Sequence, residues 1–343
     1  MLADEVPGFA EHLRQVLREP FRLDGNLLTG MTISLGWTEL LPGRDSAETV
    51  LKQAELAMYA AKAAGRNQVR RFKSAMLVEL ARRELLAGDL MHAIADEALD
   101  LYFQPQVDRR GHVIGAELLL RWTRHDGTPV SPDEFISIAE ENGLILPLGD
   151  WVLRRACVQL SAWARWPAGR KLSLAVNVSA RQFAQPGFVD DVQRALVLSD
   201  ADPTRLMLEI TETAIMDDLD AAADKLARLR ALGLRVSLDD FGTGYSSLAY
   251  LSRLPLDELK IDQAFVARLP ENHSDAMVAQ TIIAMGRGLD LQVVAEGVET
   301  EAQRNFLMSQ GCDIFQGYLI ARPLPLHAFE QIFAGPPANT ASA

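Results

Sequence analysis

The sequence predicts an α/β protein whose larger part is a TIM-like (β/α)8 barrel with one antiparallel strand, preceded by a small α/β piece. Residues 96–335 contain eight short apolar runs, and amphipathic helical segments fill most of the gaps between them. The first two runs are joined by only four residues, 108–111. Eight strands that alternate with helices over about 240 residues are typical of such a barrel.

Each predicted strand is an apolar run that ends at a polar residue and a loop. The eight runs are Leu99–Val107, His112–Trp122, Leu172–Ser179, Leu206–Thr213, Leu234–Asp240, Glu258–Asp262, Leu291–Glu296 and Cys312–Leu319. A parallel crossover needs about a dozen residues or more, so the short link 108–111 favours antiparallel pairing of the first two strands. The barrel is therefore predicted to contain one reversed strand.

Helical segments follow most of these strands. They are Asp133–Trp163, which we interpret as two helices, Val189–Leu198, Ala221–Leu232, Ser274–Gly288 and Glu301–Ser309. We place the barrel domain at residues 96–335 and expect residues 336–343 to form a disordered tail.

Residues 1–73 have the pattern of a separate α/β piece. Its predicted elements are strands at Phe21–Leu28 and Met31–Leu40, a helix at Ala47–Ala64 and a short strand at Arg66–Phe72. Asp45 and Glu48 have the spacing of a capping box at the start of that helix, and Gly65 stands where a helix C′ glycine belongs. A helix at Ala75–Ala87 is expected within a linker of residues 74–95.

Composition and charge narrow the class of protein. Hydrophobic residues make up 48% and charged residues 23% of the chain, which argues against wholesale disorder. The sequence shows neither an apolar run of membrane-spanning length nor a signal peptide, and two cysteines make neither a disulfide scaffold nor a zinc site. The net charge of −12 disfavours non-specific binding of a nucleic acid, which is a polyanion. We therefore expect a cytoplasmic protein without direct DNA binding, and a membrane tether upstream in a full-length protein stays open.

Polar side chains stand where the predicted strands end. They are Glu117, Asn177, Glu209, Glu212, Asp239, Asp240, Lys260, Asp262, Glu296 and Gln316. The carboxyl ends of parallel barrel strands form one mouth, so these groups are expected to converge there. Any single acid could instead cap a helix or form an ion pair, but so many acids in register favour a shared site.

Convergent carboxylates point to metal ions. Two such charges repel by about 4 kcal/mol at 4 Å and an effective dielectric of 20, and divalent cations relieve this repulsion. A set of oxygen ligands without histidine or cysteine favours Mg²⁺, Mn²⁺ or Ca²⁺. The adjacent Asp239 and Asp240 could hold two ions a few ångströms apart, an arrangement suited to in-line attack at a phosphodiester.

At these motifs, residues 96–335 resemble an EAL domain, the phosphodiesterase specific for cyclic-di-GMP. The likeness lies in Tyr102–Pro105, Glu117–Trp122, Asn177–Ser179, Leu208–Glu212, Asp239–Ser247, Leu259–Asp262, Ala295–Glu299 and Gln316–Tyr318. Leu118 departs from the signature, which usually has alanine there. Because successive strand residues face opposite sides, Leu118 is expected to point away from Glu117, so it could alter fit but removes no ligand.

Residues 21–73 resemble the last part of a GGDEF domain, the fold of diguanylate cyclases. Ser34–Gly36, Ala57–Lys62 and Gly65–Asn67 carry this likeness. The Gly-Gly-Asp-Glu-Phe signature is absent, so we expect no cyclase activity from this remnant.

The EAL resemblance implies hydrolysis of cyclic-di-GMP to linear pGpG with two Mg²⁺ or Mn²⁺ ions, inhibited by Ca²⁺. One ion would be held by Glu117, Asn177, Glu209 and Asp239, and the second by Asp239, Asp240 and Glu296. Lys260, Glu296 and Glu212 are the implied catalytic residues, with Lys260 orienting the attacking water or stabilising phosphate charge. The implied substrate-binding residues are Gln104, Glu117, Leu118, Arg121, Asp262 and Gln316.

The resemblance also implies a regulatory loop. Glu212 would order the loop of Phe241, Gly242, Thr243, Gly244, Tyr245, Ser246 and Ser247, which in the family couples metal binding to dimerisation, so a homodimer through the EAL domain is expected. Three alternatives stay open. Lys260 could be only a structural ion pair, the domain could be a receptor that binds cyclic-di-GMP without hydrolysing it, or the chain could be an interaction partner with a silent site.

Overall fold

The structure is a computed structural model that describes residues 5–23, 26–40, 45–216, 218–242 and 251–334. The chain divides into two compact units, Met1–Gly88 and Asp89–Ala343. None of the described helices combines the length and the apolar character needed to cross a lipid bilayer. The expected tail at residues 336–343 lies outside the described residues.

The smaller unit contains a helix packed on a pair of parallel strands. Its elements are α1 (Val6–Val16), β1 (Phe21–Leu23), β2 (Asn26–Leu28), β3 (Leu35–Trp37), α2 (Ala47–Ala63) and β4 (Val69–Arg71), and α3 (Ala75–Ala95) follows. β1 and β2 pair antiparallel, whereas β3 and β4 pair in parallel with α2 as the connection. The helix approaches β3 so closely that a Cβ on Gly36 would collide with the backbone of Met58, so this position requires glycine.

Predictions for this unit need three corrections. The predicted strand Phe21–Leu28 is a hairpin of two short strands, and α1 was not predicted. The prediction of Asp45 as the helix cap is wrong by one residue, because the N-cap of α2 is Ser46. The Ser46 backbone is extended, and its side chain accepts a hydrogen bond from the Thr49 amide at 3.1 Å. The helix end is as predicted, because Gly65 takes the left-handed conformation with φ +99°.

The larger unit holds the barrel and its helices. Its strands are β5 (Asp100–Asp108), β6 (Val113–Thr123), β7 (Pro129–Val130), β8 (Ser173–Val178), β9 (Leu206–Thr211), β10 (Arg235–Phe241), β11 (Glu258–Ile261), β12 (Gln292–Ala295), β13 (Ile314–Gln316) and β14 (Leu324–Pro325). Its helices are α4 (Pro132–Glu141), α5 (Ile145–Ala164), α6 (Ala180–Ala184), α7 (Phe188–Ser199), α8 (Glu212–Met216), α9 (Leu219–Ala231), α10 (Gln263–Val266), α11 (His273–Gly288), α12 (Glu301–Gln310) and α13 (Leu326–Ala334). All eight predicted barrel strands are confirmed, and the predicted region Asp133–Trp163 is two helices as expected.

Eight strands close the barrel in the order β5, β6, β8, β9, β10, β11, β12, β13 and back to β5. β5 is antiparallel to both neighbours, and every other neighbouring pair in the barrel is parallel. The predicted reversed strand is therefore confirmed. β13 covers only the second half of the β5 edge, and β14 pairs with its first half.

An aromatic cluster anchors the last helix to the reversed strand. Phe103 of β5, Trp163 of α5 and Phe329 of α13 have ring centroids 5.6–5.7 Å apart. All three rings are buried. Burial of aromatic side chains of this size contributes about 1.5–3 kcal/mol each. The cluster explains why α13, which was not predicted, packs at this position.

We predict that replacing Gly115→Ala destabilises the barrel. A Cβ at this β6 position would lie 2.6 Å from the Ser173 carbonyl oxygen on β8, and backbone must shift to admit it. We expect a loss of about 1–3 kcal/mol, measured by urea unfolding followed through tryptophan fluorescence.

The matched control is Gly288→Ala at the end of α11, where an added Cβ meets nothing within 4 Å. Its free energy of unfolding should be unchanged or slightly higher, because alanine favours a helix. Equal stability of both variants would show that the close strand contact at Gly115 is unimportant.

Candidate active site

The ends of the parallel strands bring the predicted polar side chains to one mouth. Asn177 on β8 pairs in register with Glu209 on β9, and Glu209 pairs with Ser237 on β10. Asp239 lies two residues beyond Ser237, on the same face of its strand. The alternation of strand residues therefore points these side chains into the barrel at adjacent heights.

Lys260 of β11 is the centre of this mouth. Its ammonium lies 2.6 Å from a carboxylate oxygen of Glu296, 2.9 Å from Glu209, 3.5 Å from Asp239 and 3.8 Å from Glu117. The Lys260 side chain is 1% exposed. One buried cation is thus shared by four carboxylates, and it cannot neutralise them all.

Burial and the unbalanced charge together shift pKa values within this group of side chains. Burial, reinforced by the Glu117 carboxylate, raises the pKa of Glu209 well above its usual value. Burial raises the pKa of Glu296 to about 8 against the attraction of Lys260. Burial also acts to raise the pKa of Glu117, but Lys260 and two amide hydrogen bonds hold it below its usual value. Burial acts to lower the pKa of Lys260, and the four carboxylates raise it well above its usual value.

A group of amide side chains fixes Glu117. Asn177 donates to one Glu117 oxygen at 2.6 Å, and Gln316 of β13 donates to the other at 2.5 Å. The Gln316 side-chain nitrogen also donates to Gln104 Oε1 at 3.2 Å, and the Gln106 side chain donates to Gln316 Oε1 at 2.9 Å. Gln106 was not predicted, although its spacing of two from Gln104 places both on one face of β5. Its hydrogen bond turns the Gln316 amide nitrogen toward Glu117.

Asp240 lies at an irregular point of β10. Its φ is +57°, the pairing of β10 with β11 shifts register between Leu238 and Phe241, and its amide bonds Asp239 Oδ1 at 2.9 Å. Such strain is common where a bulge re-aims a functional side chain. Burial first, and then the carboxylates of Asp239 and Asp262, raise the pKa of Asp240 to about 6.

The remaining predicted residues lie at or near the mouth with fewer contacts. Arg121, at the end of β6, lies 5.5 Å from the Tyr102 ring centroid and bonds the Leu120 carbonyl. Asp262 caps α10 through the Ala264 amide at 2.7 Å. Leu118 is buried, and Glu212 is buried at the start of α8. Their predicted roles stay predictions.

Part of the predicted regulatory loop lies outside the residues that the structure describes. Phe241 is buried in β10, and Gly242 has φ +96°. Thr243, Gly244, Tyr245, Ser246 and Ser247 lie outside the described residues. The link between this loop and Glu212 therefore stays a prediction.

The chemistry of the mouth fits hard divalent cations. Among the described residues, no group of three or more His, Cys, Asp or Glu side chains has the arrangement of metal ligands. The carboxylates of the mouth surround the Lys260 ammonium instead. Both carboxylate oxygens of Glu209 are buried without a hydrogen bond of acceptable geometry from a described residue. A cluster of carboxylate oxygens with excess negative charge is the donor set that Mg²⁺ and Mn²⁺ prefer.

A family model called EAL domain matches residues 87–323, most of the chain. The chain belongs to the EAL domain family. The model of the diguanylate cyclase, GGDEF domain matches residues 2–68, so a partial GGDEF domain precedes the EAL domain.

Two curated relatives come from Pseudomonas aeruginosa. The cyclic di-GMP phosphodiesterase NbdA is 42% identical over 328 residues, which are 95% of this chain and 42% of that protein. The bifunctional diguanylate cyclase/cyclic di-GMP phosphodiesterase MucR is 41% identical over 337 residues, which are 96% of this chain and 48% of that protein. The chain thus spans less than half the length of either relative.

A solved structure supports the fold of the EAL domain. The PaMucR phosphodiesterase in complex with c-di-GMP superposes with a TM-score of 0.69 and 45% sequence identity. The match covers 71% of this chain and 99% of that chain.

We predict that Lys260→Met strongly destabilises the metal-free protein. The substitution leaves four neighbouring carboxylates without their shared cation, and breaking a buried ion pair costs about 3–5 kcal/mol. Chemical unfolding in a chelator at neutral pH measures the loss. The matched control Lys73→Met removes an exposed lysine and should leave stability unchanged. A Lys260→Met protein as stable as the control would refute the central role of this cation.

We predict that the metal-free protein loses stability as pH rises from about 5 to about 8 and that its stability then levels off. The pKa of Glu296 in the folded state is about 8, above its unfolded value of about 4.5, so in this range the folded protein keeps a proton that the unfolded chain has released, and this contribution is lost once pH has passed through 8. Thermal unfolding across this range in a chelator measures the slope.

The variant Glu296→Gln should show a flatter pH dependence, because it cannot titrate. The exposed Glu301→Gln serves as the control and should keep the wild-type slope. An unchanged slope in Glu296→Gln would contradict the assignment.

Proposed function

We propose that this chain hydrolyses cyclic-di-GMP to linear pGpG with two Mg²⁺ or Mn²⁺ ions and so lowers the level of this bacterial second messenger. The observation that carries the proposal is the cluster of four carboxylates around Lys260 at the mouth of an EAL-family barrel. The names of the curated relatives NbdA and MucR support the same substrate.

The proposed ligand sets are those that the EAL resemblance implies. Glu117, Asn177, Glu209 and Asp239 hold one ion, and Asp239, Asp240 and Glu296 hold the other. The ions supply positive charge at the phosphodiester and lower the pKa of the attacking water. The Asn177 amide nitrogen donates to Glu117, and the carbonyl oxygen of the same side chain is the group suited to an ion.

Lys260 has two tasks in this proposal. Its ammonium keeps the carboxylates together when no ion is bound, and it stabilises negative charge on the phosphate or orients the attacking water during reaction. Glu296 is the carboxylate nearest Lys260, at 2.6 Å, and would act with it as a catalytic residue as well as a ligand of the second ion.

Substrate placement falls to the residues around the mouth. Arg121 makes one hydrogen bond, to a backbone carbonyl, among the described residues, so its guanidinium keeps donors for a phosphate or a guanine. Gln104 and Gln316 place the ligand beside Glu117. Leu118 contributes to substrate placement through the shape of the binding site. Asp262 contributes by capping α10.

Regulation and setting complete the proposal. Glu212 orders the loop 241–247, which couples the ions to a homodimer formed through the EAL domain. We also propose a cytoplasmic catalytic part, no direct DNA binding and no cyclase activity in the partial GGDEF domain. The domains are residues 1–73, a helical linker 74–95, the EAL domain 96–335 and a tail.

We predict that the purified chain converts cyclic-di-GMP to pGpG when Mg²⁺ or Mn²⁺ is added. A chelator should abolish the reaction, and Ca²⁺ should inhibit it, because its larger and more flexible coordination disturbs the geometry. Chromatographic separation of nucleotides measures product. Glu117→Gln and Glu209→Gln should lower kcat/KM by about 100-fold or more, because each removes an ion ligand.

The exposed Glu301→Gln is the matched control and should retain wild-type kcat/KM. Tight binding of cyclic-di-GMP with no pGpG under any of these conditions would contradict hydrolysis and identify the domain as a receptor. Absence of binding would point to the interaction partner with a silent site.

A further inference from the structure

A cavity lies inside the barrel at the end opposite the mouth. Its volume is about 410 Å³, and its walls include Ser173, Arg235 and Gln292, which stand at the starts of β8, β10 and β12. The candidate active-site residues on these three strands lie four positions further along, which is about 13 Å at the rise of a strand. On β9, β11 and β13 the lining residues Met207, Glu258 and Ile314 lie two positions before Glu209, Lys260 and Gln316. The cavity therefore lies beneath the mouth, and Gln106 on its wall donates to the Gln316 side chain that holds Glu117.

Small side chains leave this space open. The interior of a (β/α)8 barrel is usually filled by layers of bulky branched residues. Here Ser173 and Ala175 of β8 line the cavity, and Ser237 of β10 is also a small interior residue. The volume falls in the range of roughly 300–1,000 Å³ typical of sites for small molecules.

Three cations stand side by side on the cavity wall. Lys171, Arg205 and Arg235 come from the positions that precede or begin the neighbouring strands β8, β9 and β10. Glu258 is the one carboxylate among the described lining residues, and it is 3% exposed. This concentration of positive charge contrasts with the net charge of −12 of the whole chain.

The three cations are poorly neutralised within the described residues. Arg235 donates to the neutral amide of Gln292, and Arg205 Nη1 donates to the Lys171 carbonyl at 3.1 Å. Arg205 Nε is buried without a hydrogen bond, and its nearest paired carboxylate, Asp202, lies 3.9 Å away. Lys171 and Arg235 form no ion pair with any described carboxylate.

We propose that this cavity is a second binding site that takes a small phosphate monoester, with the phosphate on Lys171, Arg205 and Arg235. Three cations against Glu258, the single carboxylate among the described lining residues, leave an excess of positive charge, which Asp202 offsets only in part at 3.9 Å from Arg205. This excess suits a phosphate monoester, whose charge is about −1.5 to −2 at neutral pH. Guanidinium groups bond two phosphate oxygens at once, and the larger negative charge of a phosphate monoester favours it over a single carboxylate at a cluster of three cations. The remaining volume accommodates a sugar-sized organic part.

Calorimetry on the full chain in a chelator tests this site without any metal or cyclic-di-GMP. The probes are ribose 5-phosphate and inorganic phosphate, with ribose and acetate as controls. We expect both phosphates to bind with a Kd of about 1 mM or lower, and ribose and acetate not to bind. Absence of binding by ribose 5-phosphate, or equal binding of ribose, overturns the proposal.

Two variants act on different parts of the site. Arg205→Gln combined with Arg235→Gln removes charge and should weaken binding of ribose 5-phosphate at least tenfold. Ser173→Leu keeps the cations but fills the cavity, and it should abolish binding of ribose 5-phosphate without lowering the unfolding temperature. The control Arg194→Gln alters an exposed arginine of α7 paired with Asp191 and should bind as the wild type does.

Wild-type affinity in either the charge variant or the filled variant overturns the site. Because the assay depends on no ion and no hydrolysis, its failure is distinguishable from failure of the proposed phosphodiesterase activity.

Discussion

The sharing of one buried ammonium, that of Lys260, by four carboxylates determines the properties of the barrel mouth. The ammonium draws Glu117, Glu209, Asp239 and Glu296 together, yet it supplies one positive charge against four negative ones. Burial first, and then repulsion among the carboxylates, raises the pKa values of Glu209 and Glu296, so protons on these groups reduce the deficit. In the proposed enzyme, divalent cations would replace those protons.

The reversed strand is what completes this mouth. Because β5 runs against its neighbours, residues from its first half lie at the height where the parallel strands end, and Gln104 stands directly opposite Glu117. A parallel β5 would bring its last residues there instead. The reversed direction thus allows Gln104 and Gln106 to reach Gln316, and through it to fix the carboxylate of Glu117.

Sequence reasoning succeeded where local pattern determines structure. Apolar runs and the four-residue link gave the eight strands and the reversed one, and strand ends gave the carboxylates that surround Lys260. It failed where the outcome depends on contacts between distant segments. The central position of Lys260 needs β11 placed between β10 and β12, and Gln106 needs β13 beside β5. Helix α13 depends on an aromatic cluster drawn from three segments, which no local periodicity reveals.

The interior of the barrel carries opposite charge at its two ends, and strand alternation explains how. Arg235 and Asp239 lie on the same face of β10, four residues apart, as Gln292 and Glu296 do on β12. Glu258 and Lys260 reverse the order on β11, with the acid toward the basic cavity and the ammonium among the acids of the mouth. Glu258 among the cations of the cavity and Lys260 among the carboxylates of the mouth each reduce the repulsion between their like-charged neighbours without cancelling it. The residual charge at each end can attract a ligand of opposite charge: cations at the mouth and an anion at the cavity.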